Sequence, residues 1–387
     1  MPFSKIHIIQ SYPVWLPLTQ TWMYNQIRYL PNEFIPHIAC ERTQNLDQFR
    51  LPNIHYNSNF GAVRYAWNRG RRRIGMQTPV GPIRDIVKKT DAKIIHSHFG
   101  TIGWHNLPSA KTNHLRHIIT FYGLDVNKVP LQKPIWKKRY SQLFEEANLF
   151  LCEGPYMAQS LIEMGCPPEK VKVQHLGIPT EKFIYSPRTY NHGEPLRILL
   201  VASFREKKGI PDALIALGKI KDEVPLEITI IGDASKEATS QKEKQRILDT
   251  IQSTGLTSKV QMLGFQPYNV ILSEAYRHHI FLSPSVVAED GDTEGGAPVV
   301  IIEMMATGMP IVSTSHCDIP EVVNYDIPNW LVKEHDTDAL ADRLFWLYEN
   351  PAMWQQLTEK GRRHIDQHFN ARIQGEKLGI IYQTLLT

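Results

Sequence analysis

Glu303 is a carboxylate set in an apolar run, VVIIEMMA (299–306), whose helical reading buries it, and a buried carboxylate needs a partner. A salt bridge to a neighbouring Arg or Lys is the plain solution. The residues just before it suggest another. Gly295, Gly296 and Ala297 precede Pro298, which suits the first turn of a helix; Gly308 suits its left-handed end, and Pro310 stops it before a short strand at 311–313. Small residues at a helix start leave backbone N–H groups open to a ligand, a natural seat for phosphate. A nucleotide with its phosphates there would bring its ribose hydroxyls to Glu303. The segment 294–313, EGGAPVVIIEMMATGMPIVS, thus carries a diphosphate-shaped signal.

Other residues could also do chemistry. Asp290 and Asp292 have the DxD spacing that can hold a divalent metal, but in a polar loop before a phosphate turn their expected work is capping, solvation or hydroxyl binding. His96 and His98 end an apolar strand and share a face; with no third ligand near in sequence, one of them is expected to make hydrogen bonds or ligand contacts. His278 and His279 read as surface or packing residues. The run RYAWNRGRRRIG (64–75) reads by default as a solvated basic face, yet Tyr65, Trp67 and Ile74 among its arginines suit anionic lipid headgroups or a phosphate-bearing, lipid-linked acceptor. Nucleic acid is not expected as a partner, because no recognition fold accompanies the patch.

These residues need elements to hold them. Short apolar runs at 6–9, 94–96, 117–120 and 149–152, each followed by an amphipathic stretch, have the βα pattern of a parallel sheet. A second series runs through 197–202, 227–231, 260–263, 280–282 and 311–313, with Gly232 making a tight turn after its second strand. The polar stretch 186–195, SPRTYNHGEP, separates the two and reads as a linker. The expectation is an α/β chain with two Rossmann-like βαβ domains facing a central cleft: residues 1–187, residues 188–365, and a C-terminal helix, 366–387, packing back on the first domain. At 387 residues the chain suits two domains, and its 43 basic against 39 acidic side chains are too balanced for a dedicated nucleic-acid binder. The four cysteines form no zinc-spaced pair, the N-terminus lacks a secretory pattern, and no run approaches the ~20 apolar residues that span a bilayer. A cytoplasmic protein is expected, meeting a membrane's inner face only from its surface. No GxGxxG or GxxxxGK[ST] motif marks a nicotinamide or P-loop enzyme, and no carboxyl pair is marked for glycoside hydrolysis.

The 294–313 segment resembles the Glu-rich signature of retaining glycosyltransferases with the GT-B fold, family four, the group 1 glycosyl transferases. The resemblance extends through VASFREKKGIPDALIAL (201–217), IIGD (230–233), LGF (263–265) and FLSPS (281–285) in the donor lobe, and through IIHSHFG, IITFYGLDV and HLGIPTEKF in the acceptor lobe. It covers nearly the whole chain, and its specificity lies in the ordered set.

The resemblance implies a metal-independent transfer, without a cofactor, of a hexose-type sugar from a UDP or GDP sugar to a glycan, glycolipid or lipid-linked acceptor. Lys208 matches the family's phosphate-binding lysine and would neutralise the departing diphosphate. The family's arginine position falls on Ser203, with Arg205 taken as its replacement. Glu294 stands as the first acid of the usual pair, although eight residues separate it from Glu303, one more than is usual. Gly295, Gly296, Ala297, Pro298, Ser203, Gly232 and Phe265 would join Glu303 on the donor side. His98, Tyr122, Asp125, Thr21 and Asn25 would face the acceptor or the transferred sugar, Tyr122 standing where many relatives have histidine. A phenol there can hydrogen-bond a hydroxyl but cannot share an imidazole's proton chemistry at neutral pH. A sugar-nucleotide epimerase on the same scaffold and a non-catalytic glycan- or nucleotide-binding protein are the rival readings.

Overall fold

A computed structural model describes residues 5–17, 20–56, 62–325, 327 and 330–387, with 62–65 described by backbone alone. Leu18 and Thr19 of the expected acceptor-side loop, and the side chains of Arg64 and Tyr65, therefore lie outside the described residues. The chain forms two units, Met1–Pro179 with Phe369–Thr387, and Thr180–His368.

The first unit contains strands β1 (Ile6–Ser11), β2 (Val14–Trp15), β3 (Phe34–Cys40), β4 (Arg42–Thr43), β5 (Ile54–Tyr56), β6 (Ile94–His98), β7 (Arg116–Thr120), β8 (Leu149–Cys152) and β9 (Val171–Val173). Seven of them make one parallel sheet in the order β5-β3-β1-β6-β7-β8-β9, and β2 pairs with β4 apart from it. From β1 the chain first builds outward through β3 and β5, then returns to β1's other side with β6, so the order turns between β1 and β6. The strands β6 and β8 are buried along their whole length, as apolar runs sandwiched between helices must be.

The C-terminal helix Ala371–Leu386 completes one face of this sheet, placing Leu378, Ile381 and Tyr382 against Ile8, Ile94, Ile118 and Leu149. Truncating one large side chain in such a layer costs about 2–5 kcal/mol. Asn370 caps the helix by accepting from the N–H groups of Arg372 (2.9 Å) and Ile373 (3.4 Å). Gly375 lets it lie against the turn after the helix Thr21–Arg28: a Cβ there would fall 2.0 Å from the Tyr29 carbonyl oxygen.

The second unit is a five-stranded parallel sheet of β10 (Leu196–Val201), β11 (Leu226–Ile231), β12 (Val260–Gly264), β13 (Ile280–Ser283) and β14 (Ile311–Ser313), ordered β12-β11-β10-β13-β14. Its order turns between β10 and β13, and at their carboxyl ends stand the loops that carry most of the expected donor-side residues. The stretch 186–195 is not an open linker. Arg188 is buried within the second unit and donates to the carbonyls of Thr307 (2.9 Å), His278 (3.1 Å) and Ala275 (2.8 Å), so the division between units falls at 179/180 instead. The helix Trp354–His368, unnoticed in the sequence, also belongs here; its Gly361 lies against Met305.

Candidate active site

After β10 the chain turns sharply through Gly209, whose φ of +60° and close approach to Pro284 exclude a side chain: a Cβ would lie 1.8 Å from the Pro284 carbonyl oxygen. This contact seats the basic loop 203–208 against the acidic loop that follows β13. Arg205 pairs with Asp292 (2.6 Å) while its own side chain stays partly exposed. Lys208 pairs with Glu294 at 2.8 Å. Lys207, which sequence reasoning passed over, is the buried one of the two lysines: its Nζ donates to the Thr293 carbonyl at 2.6 Å and to Asp292 at 3.3 Å. Two adjacent lysines before a glycine signal a basic loop, but which of them turns inward depends on contacts formed only in the fold.

Burial alone would raise the Glu294 carboxyl, but the ammonium groups of Lys208 and Lys207 outweigh it and hold the group down at about 2. Glu294 is thus ionised at neutral pH, and Ser285 donates a further hydrogen bond to it at 3.0 Å. Three cations share two carboxylates here, which leaves positive charge for an anionic ligand. Asp290 accepts from the Asp292 N–H (3.0 Å), and Asp292 itself is taken by Arg205 and Lys207. Among the described residues no group of three His, Cys, Asp or Glu side chains lies close enough to hold a metal ion.

The loop leads into the helix Val299–Ala306, with Pro298 at its cap rather than inside its first turn. Gly295 has a φ of +79°, and its N–H is taken by the Thr293 hydroxyl at 3.1 Å, so it is not the open donor that the sequence suggested. Gly296 and Ala297 complete the turn. Glu303, one turn into the helix, accepts from the Tyr268 hydroxyl (3.1 Å) and makes no ion pair among the described residues. Burial pushes its carboxyl up to about 7, against the opposing pull of Tyr268. The plain salt-bridge reading is not realised, and the carboxylate keeps acceptor capacity for further hydroxyl donors.

Gly232, with φ +136°, ends β11 so close to β10 that a Cβ would meet the Ala202 carbonyl oxygen at 1.8 Å, immediately before the exposed Ser203. Phe265 follows Gly264 of β12 and is 64% exposed.

A buried histidine paired with a partly exposed glutamate, which the sequence did not disclose, fixes the acidic loop. His316 contacts Glu334 through Nδ1 (2.7 Å), and its Nε2 accepts from the Glu294 N–H (3.1 Å), so the ring proton sits on Nδ1 and is donated to the carboxylate. The other Glu334 oxygen accepts from the Val287 N–H at 2.7 Å. One His–Glu pair therefore holds both ends of the loop 287–294.

In the first unit the expected residues meet in a buried hydrogen-bond chain. Gln10 donates through Nε2 to the Tyr382 hydroxyl (2.9 Å), so its Oε1 accepts from His98 Nε2 (2.9 Å). His98 Nδ1 is then an acceptor and takes the Tyr122 hydroxyl proton at 2.6 Å. Tyr382 likewise donates to His96 Nδ1 (2.7 Å), whose Nε2 donates to Thr120 (2.6 Å). Burial holds His98 down at about 3 and lowers His96 well below the ordinary range, so both rings are neutral. With both nitrogens engaged and no exposed surface, His98 supports Tyr122 instead of facing a ligand.

Asp125 is also corrected by its surroundings: its oxygens accept from the N–H groups of Gly100 (2.6 Å) and Tyr122 (3.0 Å), and burial pushes it up to about 6 against those bonds. It is a clamp on the turn that starts the helix Gly100–Thr112. That turn also holds Phe99 at φ +74° and ψ +137°, a region nearly reserved for glycine and costing roughly 1–3 kcal/mol. Thr21 and Asn25 lie one turn apart on the helix Thr21–Arg28, both partly buried.

Residues 185–364 match the family model "Glycosyl transferases group 1" and residues 19–182 match "Glycosyltransferase Family 4". The chain is 35% identical over 297 residues to the amylovoran biosynthesis glycosyltransferase AmsK of Erwinia amylovora, covering 76% of this chain and 70% of that one. It is 33% identical to the putative colanic acid biosynthesis glycosyltransferase WcaL of Escherichia coli K12, covering 76% and 71%. Among solved structures, a glycosyltransferase from Rickettsia africae ESF-5 superposes with a TM-score of 0.75 at 18% identity over the whole of both chains. Anabaena Alr3699/HepE, solved in complex with UDP, gives 0.76 at 14% identity over 98% of this chain and 100% of that one. Sequence relatives, family models and fold agree: the chain belongs to the group 1 glycosyltransferases and is a glycosyltransferase enzyme of the GT-B fold.

Proposed function

We propose that this enzyme moves a hexose-type sugar from a UDP or GDP sugar, with retained anomeric configuration and without a metal, onto a glycan, glycolipid or lipid-linked acceptor in surface polysaccharide synthesis. The observation that carries the donor reading is Glu303: a half-buried carboxylate with no ion pair among the described residues, one turn inside a helix whose leading glycine turn follows the loop paired with Arg205, Lys207 and Lys208. Ribose hydroxyls would donate to Glu303. Gly296, Ala297 and the helix start would meet the diphosphate, and exposed Phe265 and Ser203 would border the nucleotide. Lys208 would move from Glu294 toward the leaving diphosphate, with Arg205 beside it, and these cations would supply the charge stabilisation that a divalent metal gives elsewhere. Tyr122, Thr21 and Asn25 would face the acceptor side. The names of AmsK and WcaL support the polysaccharide reading, and the Alr3699/HepE complexes with UDP and UDP-glucose support trying UDP first.

A cytoplasmic enzyme at the inner membrane face would touch the bilayer through 64–75. Trp67 (67% exposed) and Ile74 (76% exposed) lie beside the exposed Arg69 and Arg73, which supports that contact, and among the described residues no helix is long and apolar enough to cross a membrane.

Thermal denaturation with UDP, GDP and ADP, each with EDTA, tests the donor site. One uracil or guanine nucleotide raising Tm by several degrees despite EDTA is the expected result. No response to any nucleotide, or a response only with added metal, would overturn it.

A further inference from the structure

Four aromatic side chains of the first unit gather beyond the carboxyl ends of its sheet. Tyr12 follows β1, Phe99 follows β6 and Tyr122 follows β7, three strands that are neighbours, while Trp22 comes from the helix Thr21–Arg28. Tyr12 and Phe99 stack with centroids 5.6 Å apart, Phe99 lies 4.8 Å from Tyr122, and Trp22 lies 5.7 Å from Tyr122. The pair β1 and β6 is where the strand order turns, the place at which open parallel sheets bind ligands.

The strain at Phe99 singles out this ring. Its backbone is fixed by its N–H on the Thr120 carbonyl (2.8 Å) and by its own carbonyl accepting from Ile102 (3.1 Å) and Gly103 (3.0 Å). Glycine would make the same turn without strain, so the strain maintains the side chain. That side chain is only partly buried, as are Tyr12 and Trp22, so filling the core does not account for it.

Around the rings, hydrogen-bonding groups are left over. Among the described residues Gln20 Oε1 makes no hydrogen bond, although Gln20 Nε2 donates to the Tyr12 hydroxyl at 2.8 Å, and the Trp22 N–H is directed at the Tyr122 hydroxyl without full hydrogen-bond geometry. Tyr122 gives its proton to His98, so its oxygen can only accept from a ligand. The charges acting on Tyr12 and Tyr122 are the carboxylates of Asp125 and Glu153, which disfavours a phosphate here. Flat apolar faces ringed by one neutral donor and neutral acceptors match a pyranose, which offers a C–H face and a rim of hydroxyls.

We propose that Tyr12, Phe99 and Trp22 form an acceptor subsite that stacks a pyranose ring, with Gln20 and Tyr122 accepting from its hydroxyls. The acceptor is then a glycan whose sugar ring is read directly, and the assignment rests on the transferase reading above.

Saturation-transfer NMR on the full chain, with methyl glucoside, methyl galactoside and lactose as probes and glycerol phosphate as the control, tests it. At least one pyranoside should bind through the protons of one ring face and weaken at least tenfold in Phe99→Gly, a variant expected to raise Tm. Trp22→Phe, which keeps a ring and loses the N–H, should weaken it by a smaller factor. The nucleotide-induced Tm shift should persist in both variants. Equal pyranoside binding by wild type and Phe99→Gly would overturn the subsite, as would binding of glycerol phosphate alone or of no pyranoside by a protein that still responds to nucleotide. Loss of the nucleotide response in the wild type would instead strike the donor reading, which separates the two failures.

Discussion

The two units share an architecture and differ in what they place at the ends of their strands. The second unit sets ionised groups there, with Arg205, Lys207 and Lys208 against Asp292 and Glu294. The first unit sets mostly neutral ones, a chain of Gln, Tyr, Thr and uncharged His closed off from solvent, and the carboxylate beside it, Asp125, is held by backbone N–H groups and not by a cation. Ionised pairs can exchange partners when an anion arrives, since a phosphate can replace the carboxylate on a lysine. A fully satisfied neutral chain cannot trade partners cheaply; it fixes the direction in which a hydroxyl points. The chemistry of each ligand is therefore anticipated by the lobe proposed to meet it: charge for the diphosphate, oriented neutral groups for sugar hydroxyls.

Breaking the charged side should have the largest effect. Lys208→Ala removes the cation proposed to meet the departing diphosphate, and steady-state turnover should fall about 10²–10³-fold, the scale for losing one preorganised group that stabilises developing charge. The fold should survive, because Lys207 remains near Glu294. Near-normal turnover would remove the contrast between the units.

Acid should separate the units next. His96, His98 and His117 are neutral when folded, the latter two held down at about 3 by burial, while unfolded histidines titrate near 6.5. The unfolded chain thus binds more protons as pH falls below about 6.5, so their contribution is present above that pH and is lost progressively toward 3. At pH 5 the loss is on the order of 2 kcal/mol for each of His98 and His117. Burial also lowers His278 and holds His279 at about 4 beside β10 and β13, so hydrogen exchange should show protection falling in both sheets between pH 7 and pH 5, but further in β6 and β7, which carry three such rings; equal loss in both sheets would contradict the distinction.

The smallest effect sharpens the comparison within the charged unit. Glu303 sits at about 7 when folded, above its unfolded range, so its stability contribution is full below about pH 4.5 and is lost as pH rises through 7. Glu303→Gln should then raise Tm by a few degrees at pH 8, on the order of 1 kcal/mol, with little change at pH 4.5, and should weaken nucleotide stabilisation. A lower Tm at pH 8 would show that the carboxylate is needed structurally.

Much of this was legible in the residues. Continuous apolar runs announced β8 and β14 to the residue, because strands buried on both faces leave no polar interruptions. The strand β3 escaped because Pro36 and His37 interrupt FIPHIAC, and β5 and β9 because His55 and Lys172 interrupt runs that are only three residues long. The 186–195 stretch has linker composition but is anchored by Arg188, a burial that composition cannot express. In the candidate site, what the sequence made legible as a group lies within one segment: Glu294, Glu303 and the glycine turn. The partnerships were not. Lys207 with Thr293 and His316 with Glu334 and Glu294 join positions far apart in the chain, and the two backbone N–H groups that occupy Asp125 have no signature in its neighbours.

The helix Ala371–Leu386 carries a consequence for how the chain is made. It supplies Leu378, Ile381 and Tyr382 to the first unit, whose other residues are translated before the whole of the second. At about 5–20 residues per second, roughly 10–40 s separate the emergence of the two parts. The half that leaves the ribosome first is therefore the half that finishes last: until the final helix arrives, Ile8, Ile94 and Ile118 lack their cover, and Gln10 and His96 lack the hydroxyl that joins them.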